Sequence, residues 1–161
     1  MKYSFFPGCS LDSTARDFRV STEAVCRRLG IELEEIPGWT CCGSSPAHAS
    51  DAALGVTLAV VNLLKAEAMG GSDLVTTCAA CYSRLRAAND EMSHEGDLRA
   101  RVDRLAGAKY RATVRVRHLL DVLVNDLGLD LIRDYVERPL TGLRVGCYYG
   151  CLLTRPPKVV A

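Results

Sequence analysis

Along the first two thirds of the chain, segments whose hydrophobic and polar positions follow a strand-like pattern alternate with segments that follow a helical pattern. Short runs rich in apolar or β-branched residues precede longer stretches of helical pattern, and glycine or proline marks most of the junctions. The short runs predict strands at Tyr3–Phe6, Ile31–Ile36 and Asp73–Thr77. A repeat of strand and helix predicts an α/β fold with an open parallel sheet, Rossmann-like, in three layers with right-handed crossovers.

Predicted helices follow these strands. Asp12 or Ser13 can cap the first helix, which is expected to end before Gly30. The predicted helices span Asp12–Leu29, Ala47–Met69, Cys78–Met92 and a charged stretch over Leu98–Leu105.

The last third of the chain predicts two more helices, Val116–Leu127 and Leu129–Val136, and a strand over Leu143–Tyr148. The longest apolar run, Leu54–Met69, includes polar and charged residues and is shorter than the ~18 residues that a membrane span needs. We therefore interpret it as a buried helix, and we expect no membrane span.

Composition is that of a globular domain. The chain has 161 residues, of which 48% are hydrophobic and 24% charged, and its formal net charge is +1. A charge this close to neutral does not favour nucleic acid or a membrane surface as a partner. The amino terminus is broken by Pro7 and Gly8 and does not resemble a secretory signal, so we expect a cytoplasmic location.

The chain contains eight cysteines, which indicate its chemistry more specifically than the overall composition does. In a chain without a secretory signal, clustered cysteines indicate metal or redox chemistry more often than disulfides. In order along the chain, 31 residues separate the first cysteine of interest from an adjacent pair, and 35 separate the pair from a Cys-x-x-Cys element. The five residues are Cys9, Cys41, Cys42, Cys78 and Cys81.

Each of these three sites comes just after a predicted strand. Ligands of open parallel sheets bind outside the carboxyl ends of the strands. The five thiols, remote in sequence, are therefore expected to converge at one edge of the sheet.

An iron–sulfur cluster is the ligand that this set of thiols favours, because cysteine is its usual ligand and the cluster absorbs the thiolate charge. Cys78 is predicted to open a helix, whose N–H groups favour an anion, and Gly43 allows close backbone approach. Pro37 and Trp39 are expected to shield the site. Two alternatives remain open on spacing alone: a four-ligand zinc site, and a dithiol at Cys78 and Cys81.

The segments around these cysteines resemble the cysteine-rich CCG domain found in the B subunit of heterodisulfide reductase. The resemblance covers essentially the whole chain. The matching segments are Phe6–Cys9, Trp39–Gly43, Cys78–Tyr82, Val116–Leu120 and Cys147–Cys151.

The resemblance implies a ligand set and a reaction. It implies one non-cubane [4Fe–4S] cluster per chain, held by Cys9, Cys41, Cys42, Cys78 and Cys81. It implies reduction of a disulfide of the CoB–CoM heterodisulfide type, with electrons from partners that resemble the C (iron–sulfur) and A (flavin) subunits of that enzyme. The chain would then be part of an enzyme complex, and only part of its active unit.

A second repeat is expected to open near the end of the chain. Phe6–Leu11 is echoed by Tyr148–Leu153, and Cys151 matches the first cysteine of a further five-cysteine set. We predict a first CCG iron–sulfur domain at residues 1–141 and the start of a second, incomplete CCG repeat at 142–161. Cys151 would be the first ligand of that incomplete site.

Three functions stay in competition at this point. The first is disulfide reduction, the second an electron relay in another oxidoreductase complex, and the third a structural zinc module. His48, just after the paired cysteines, is expected to contact the site from outside the ligand set. The other cysteines and histidines have structural interpretations: Cys26 in a helix core, Cys147 in a strand, His94 at the surface, and His118 at a helix start.

Overall fold

The computed structural model describes residues 1–45, 47–70, 73–148 and 150–160, and for His48 the backbone alone. Within these ranges one sheet is formed, with the strand order β2-β1-β3-β4 and every pair parallel. The strands are β1 (Lys2–Phe6), β2 (Glu32–Glu35), β3 (Asp73–Thr76) and β4 (Arg115–His118). The predicted open parallel sheet is confirmed.

Helices connect and flank these strands. In chain order they are α1 (Gly8–Asp12), α2 (Arg16–Arg28), α3 (Ala47–Ser50), α4 (Ala52–Ala68), α5 (Ala79–Met92), α6 (Asp97–Ala106), α7 (Leu119–Asp121), a π-helical segment (Val122–Leu127), α8 (Leu129–Asp134) and α9 (Pro157–Val160). None of them is long and apolar enough to cross a membrane, as far as the described residues extend.

The sheet has a hydrophobic core on each face. Successive residues of a strand point to opposite faces, and in β3 Leu74 joins one core while Val75 joins the other. The larger core is closed by α4, α5 and α6, and the smaller by α2, α7 and the π-helical segment. This arrangement is the three-layer architecture that the strand–helix repeat predicts.

The chain reverses its direction of winding at β1. From β1 it crosses to β2 on one side, then returns to place β3 on the other side, with Lys2 beside Glu32 and Ser4 beside Leu74. The gap between the carboxyl ends of β1 and β3 is the switch point where open α/β sheets bind ligands. Cys9 follows β1 and Cys78 follows β3, so both lie at this point.

Two predicted helices are each divided. The first begins earlier than predicted, at Gly8, and it breaks before Arg16, where α2 starts. The second breaks at Asp51, which adopts an extended backbone and accepts hydrogen bonds from Ala53 N (2.8 Å) and Leu54 N (3.2 Å). Asp51 therefore caps α4, because its carboxylate satisfies N–H groups that have no partner inside the helix.

Two predictions in the last third are wrong. Arg115–His118 is strand β4 rather than part of a helix over Val116–Leu127, because it pairs along β3 and completes the sheet. Leu143–Tyr148 has no regular structure, and the side chains of Val145 and Tyr148 are 72% and 98% exposed. A strand needs a neighbour for its backbone groups, and within the described residues this segment has none.

Candidate metal centre

The cysteines of the five-residue pattern come from three turns that follow β1, β2 and β3. Cys9 lies in the first turn of α1, and Cys41 and Cys42 lie in the loop between β2 and α3. Cys78 is the N-cap of α5, with an extended backbone (φ −93°, ψ 119°), and Cys81 lies in the first turn of that helix. Each of the three cysteine-bearing turns therefore follows a strand of the parallel sheet, as the sequence predicted.

Three of the thiols touch. The buried Cys81 thiol lies within hydrogen-bonding reach of the sulfurs of Cys42 and Cys78 and can donate its one hydrogen to either. A hydrogen bond from Cys81 lowers the pKa of Cys78 to about 5 and that of Cys42 to about 7. The pKa of Cys81 itself is raised by the same two contacts and by burial. A trio in which two thiols ionise easily is a ready set of thiolate donors, since the thiolate is the form that binds metal.

Backbone N–H groups point at two of these sulfurs. Those of Ala80 and Cys81 donate to the Cys78 sulfur, and that of Ser44 donates to the Cys42 sulfur. The amides at Ala80 and Cys81 belong to the first turn of α5, where they have no acceptor within the helix. This end of the helix therefore favours negative charge on sulfur.

Two glycines bring the backbone close to this trio. Gly8 has φ +75°, and a Cβ there would lie 2.9 Å from the Cys81 sulfur. Gly43 has φ +84°, and a Cβ there would lie 2.7 Å from the carbonyl oxygen of Gly55 in α4. Any other residue would push Cys81 away at the first position and the paired cysteines away from α4 at the second.

Cys9 and Cys41 are the two cysteines of the predicted set that lie outside the trio. Both are exposed, and within the described contacts neither sulfur touches the trio, although Cys42 belongs to it and Gly8 lies against it. In the same ranges, no three His, Cys, Asp or Glu side chains are preset around one metal ion. Cysteine is the usual ligand of iron–sulfur clusters and also binds zinc, so the donor type fits either group, and the five-cysteine ligand set stays a prediction.

Asn62 is a residue of the site that the sequence did not indicate. It is fully buried in α4, where its Oδ1 accepts from Thr40 N (2.8 Å) and its Nδ2 donates to Cys41 O (3.3 Å). In the sequence, an asparagine inside an apolar helical run is only a minor irregularity. The one signal that could have identified it is the cost of burying a polar amide without partners.

His118 lies beside the site, where it ends β4 and caps the short helix α7. Its Nε2 is 3.0 Å from the Thr77 carbonyl, one residue before Cys78, and its Nδ1 accepts from Leu120 N (3.3 Å). Burial lowers the pKa of its imidazole, and its ring stacks edge-on with Tyr82 at 5.9 Å. These contacts give it the structural role at a helix start that the sequence predicted.

The remaining predicted residues divide by location. Trp39 packs edge-on against Phe6 (5.6 Å) and its Nε1 donates to Glu35 (2.7 Å), whereas Pro37 is exposed. The predicted core position of Cys26 and surface position of His94 are confirmed.

The prediction for Cys147 in a strand is wrong, because this residue is exposed on the irregular segment. Cys151 is exposed too. The side chain of His48, and Tyr149 altogether, lie outside the described residues.

The fold and the site together define a cysteine-rich α/β domain, with a parallel sheet and a group of thiols at its switch point. Residues 3–86 match the model of the CCG cysteine-rich domain family, which is just over half of the chain. The chain therefore belongs to the CCG cysteine-rich domain family.

Curated relatives match along nearly all of the chain. The 8-methylmenaquinol:fumarate reductase membrane anchor subunit of Wolinella succinogenes is 35% identical over 158 residues, 98% of this chain and 55% of that protein. The B subunit of the ferredoxin:CoB-CoM heterodisulfide reductase of Methanosarcina mazei is 30% identical over 161 residues, 98% of this chain and 53% of that protein.

A protein of Archaeoglobus profundus, named for its likeness to the B subunit of heterodisulfide reductase, is 30% identical over 163 residues, 99% of this chain and 54% of that protein. The chain thus spans about half the length of the curated relatives it matches. The family and the names of these relatives support an iron–sulfur subunit of an oxidoreductase.

Proposed function

We propose that the chain holds one non-cubane [4Fe–4S] cluster and delivers electrons through it to a disulfide. The ligands would be Cys9, Cys41, Cys42, Cys78 and Cys81. The observation that carries the proposal is the thiol trio at the switch point, to which Cys9 in the turn after β1 and Cys41 beside Cys42 would add two ligands. An iron–sulfur cluster bound there supplies one-electron transfer at an edge of the sheet that is open to a partner.

The residues of the chain supply the environment for that chemistry. The N–H groups at the start of α5 stabilise negative charge on sulfur. The buried side chains of Phe6 and Leu85 belong to the same hydrophobic core as Cys42 and Cys81 and would limit water on that side of the trio. The exposed turns at Cys9 and Cys41 leave the opposite side accessible. A substrate or an electron-donating protein would approach from this side.

The proposed reaction consumes two electrons and two protons for each disulfide, R–S–S–R′ giving R–SH and R′–SH. The electrons would come from an iron–sulfur partner that resembles the C subunit of heterodisulfide reductase, itself supplied by a flavin protein that resembles its A subunit. Because protons are consumed with the electrons, the apparent potential of the disulfide couple is expected to fall as the pH rises while the products are thiols.

Iron and acid-labile sulfide on anaerobically purified protein test the ligand set. We expect about four iron atoms per chain, since a [4Fe–4S] cluster contains four. Single changes of each of the five cysteines to alanine should lower the iron content to less than half. Cys26→Ala and Cys147→Ala are matched controls, since both residues lie outside the set, and they should leave it unchanged. Zinc in place of iron, with no cluster after anaerobic reconstitution, would support a structural zinc module instead.

A second function is an electron relay between a quinol and another acceptor. The relative at 35% identity is named as a subunit of an 8-methylmenaquinol:fumarate reductase, and no disulfide occurs in that name. Anaerobic assays of the protein together with its native partner proteins separate the two. Oxidation of the reduced cluster by a heterodisulfide favours the first function, and oxidation or reduction by a menaquinone analogue alone favours the relay.

A further inference from the structure

We propose that Asn62 is the positioning residue of the paired cysteines, and that it sets the orientation of Cys41 and Cys42 for metal binding. It would act through the backbone of the loop and touch no metal. Its side chain is the sole polar group of α4 that reaches both an N–H and a carbonyl of that loop among the described contacts.

The hydrogen bonds of Asn62 fix the orientation of its own amide. Thr40 N–H can only donate and the Cys41 carbonyl can only accept, so oxygen must face the first and nitrogen the second. The other amide hydrogen is donated to the Leu58 carbonyl at 2.9 Å, inside α4. Both amide hydrogens and the amide oxygen are therefore used, and the side chain has one arrangement.

Neither the helix nor the core explains an asparagine at this position. Asparagine is a poor residue for a helix interior, and a buried amide costs free energy unless it is fully hydrogen-bonded. Its neighbours in α4 are apolar, including Val60 and Leu63, which are both fully buried. A leucine at position 62 could not make the two hydrogen bonds to the loop.

The loop needs this support because adjacent cysteines do not naturally face one target. In an extended chain, side chains of successive residues point in opposite directions. Two neighbouring thiols reach one metal group only if the peptide plane between them is held at a particular angle, and that plane contains the Cys41 carbonyl. The bond from Asn62 to this carbonyl restrains the plane.

One face of α4 supports the loop at three further points. Gly43 approaches the Gly55 carbonyl and the Leu58 side chain, and the Lys65 ammonium donates to the Gly38 carbonyl. Positions 55, 58, 62 and 65 recur at helical spacing, so they lie on the same side of α4. Asn62 occupies the middle of this face, opposite Cys41.

The first measurement uses the metal-free protein and so does not depend on the proposed function. Cys42 is 4% exposed, and its alkylation by iodoacetamide is followed by peptide mass mapping. In Asn62→Leu, which fills the site with an apolar side chain suited to a helix, we expect alkylation of Cys42 to become several-fold faster. Asn62→Ala should behave similarly.

Asn89→Ala is the matched control. Asn89 also accepts a hydrogen bond from outside its own helix, from Tyr110 Oη (2.6 Å), and none of its described hydrogen bonds reaches the loop of the paired cysteines. Unfolding midpoints and circular dichroism of all variants identify any general loss of structure. Equal Cys42 labelling in Asn62→Leu, Asn89→Ala and wild type would overturn the inference.

The second measurement is made on the iron-loaded protein and rests on the proposed function. Residues that orient metal ligands typically change metal affinity by about 10- to 100-fold when replaced, and we expect iron release to a chelator to accelerate by a factor in this range in Asn62→Leu. The electron paramagnetic resonance spectrum of any retained cluster should shift, and neither change should occur in Asn89→Ala. If the wild type binds no iron, the proposed function fails while the labelling result still decides the role of Asn62.

Discussion

At the scale of single residues, glycine controls how closely the loops approach the thiol site. Gly43 and Gly30 both have a positive φ, +84° and +71°, but only Gly43 has a close neighbour, since a Cβ added there would lie 2.7 Å from the Gly55 carbonyl oxygen. A Cβ added at Gly30 would have nothing within 4 Å. Comparing alanine substitutions at these two positions therefore separates the free-energy cost of backbone strain from that of steric contact.

Replacing Gly43 by alanine should be more damaging than replacing Gly30. Strain in the left-handed region costs about 1–2 kcal/mol at either site, and forcing α4 and the loop apart adds roughly 1–3 kcal/mol at Gly43. Urea unfolding measures both, and iron content should fall in Gly43→Ala alone. Equal unfolding free energies for the two variants would show that the loop moves away from α4 without a measurable cost in free energy.

At the scale of elements, a buried arginine joins β4 to three other parts of the chain. Arg117 is 3% exposed and pairs with Asp73 (3.1 Å), Asp121 (2.5 Å) and, through two nitrogens, Asp126 (2.5 and 2.8 Å). Tyr3 of β1 donates to Asp126 as well (2.6 Å). The network connects β3 and β1 with the π-helical segment, and it explains how a charged residue is accommodated in a sheet strand.

The charge of Asp126 is expected to stabilise the fold at neutral pH. The hydrogen bonds from Arg117, and then from Tyr3, lower the pKa of this carboxyl to about 2. Its contribution is therefore present above pH ~4, the value for an unfolded aspartate, and is lost as the pH falls towards 2.

Asp126→Asn should lower the free energy of unfolding by about 1 kcal/mol at pH 7, a figure reduced for partial solvent exposure. The difference from wild type should shrink as urea titrations are repeated from pH 5 down to pH 3. Asp130→Asn, which removes an exposed carboxylate paired only with Arg133 among the described contacts, is the control and should have no effect. A deficit that persists unchanged at pH 3 would assign the effect to packing rather than charge.

At the scale of the whole molecule, the chain divides into a packed α/β body and an irregular segment between α8 and α9. The short helix α9 returns to the body, where Val160 is buried and its carbonyl accepts a hydrogen bond from Tyr82 Oη at 3.0 Å. Buried residues of both cores occur up to Val122, whereas Leu140 and Val145 are 76% and 72% exposed. Backbone without buried contacts opens at low free-energy cost. The predicted boundary near residue 141 falls in this segment and remains a prediction.

Limited trypsin digestion should cut first after Arg144. That bond lies in exposed, irregular backbone, whereas Arg27 and Arg28 are held in α2. Mass spectrometry of the early products gives the order of cleavage, and iron analysis of the remaining body tests whether the site survives. Early cleavage within α2, before Arg144, would contradict this division of the chain.

Much of the fold and most of the site could be predicted from the sequence because both depend on local or regularly spaced signals. The strand–helix alternation indicated the parallel sheet, and the positions of Cys9, Cys42 and Cys78 after strands indicated that they lie at one edge of it. Only the tertiary structure decided that Arg115–His118 is a strand, since its short mixed pattern becomes one by pairing with β3. Likewise Asn62 acts on a loop more than twenty residues earlier, and no periodicity along the chain records a contact between side chains so far apart in sequence.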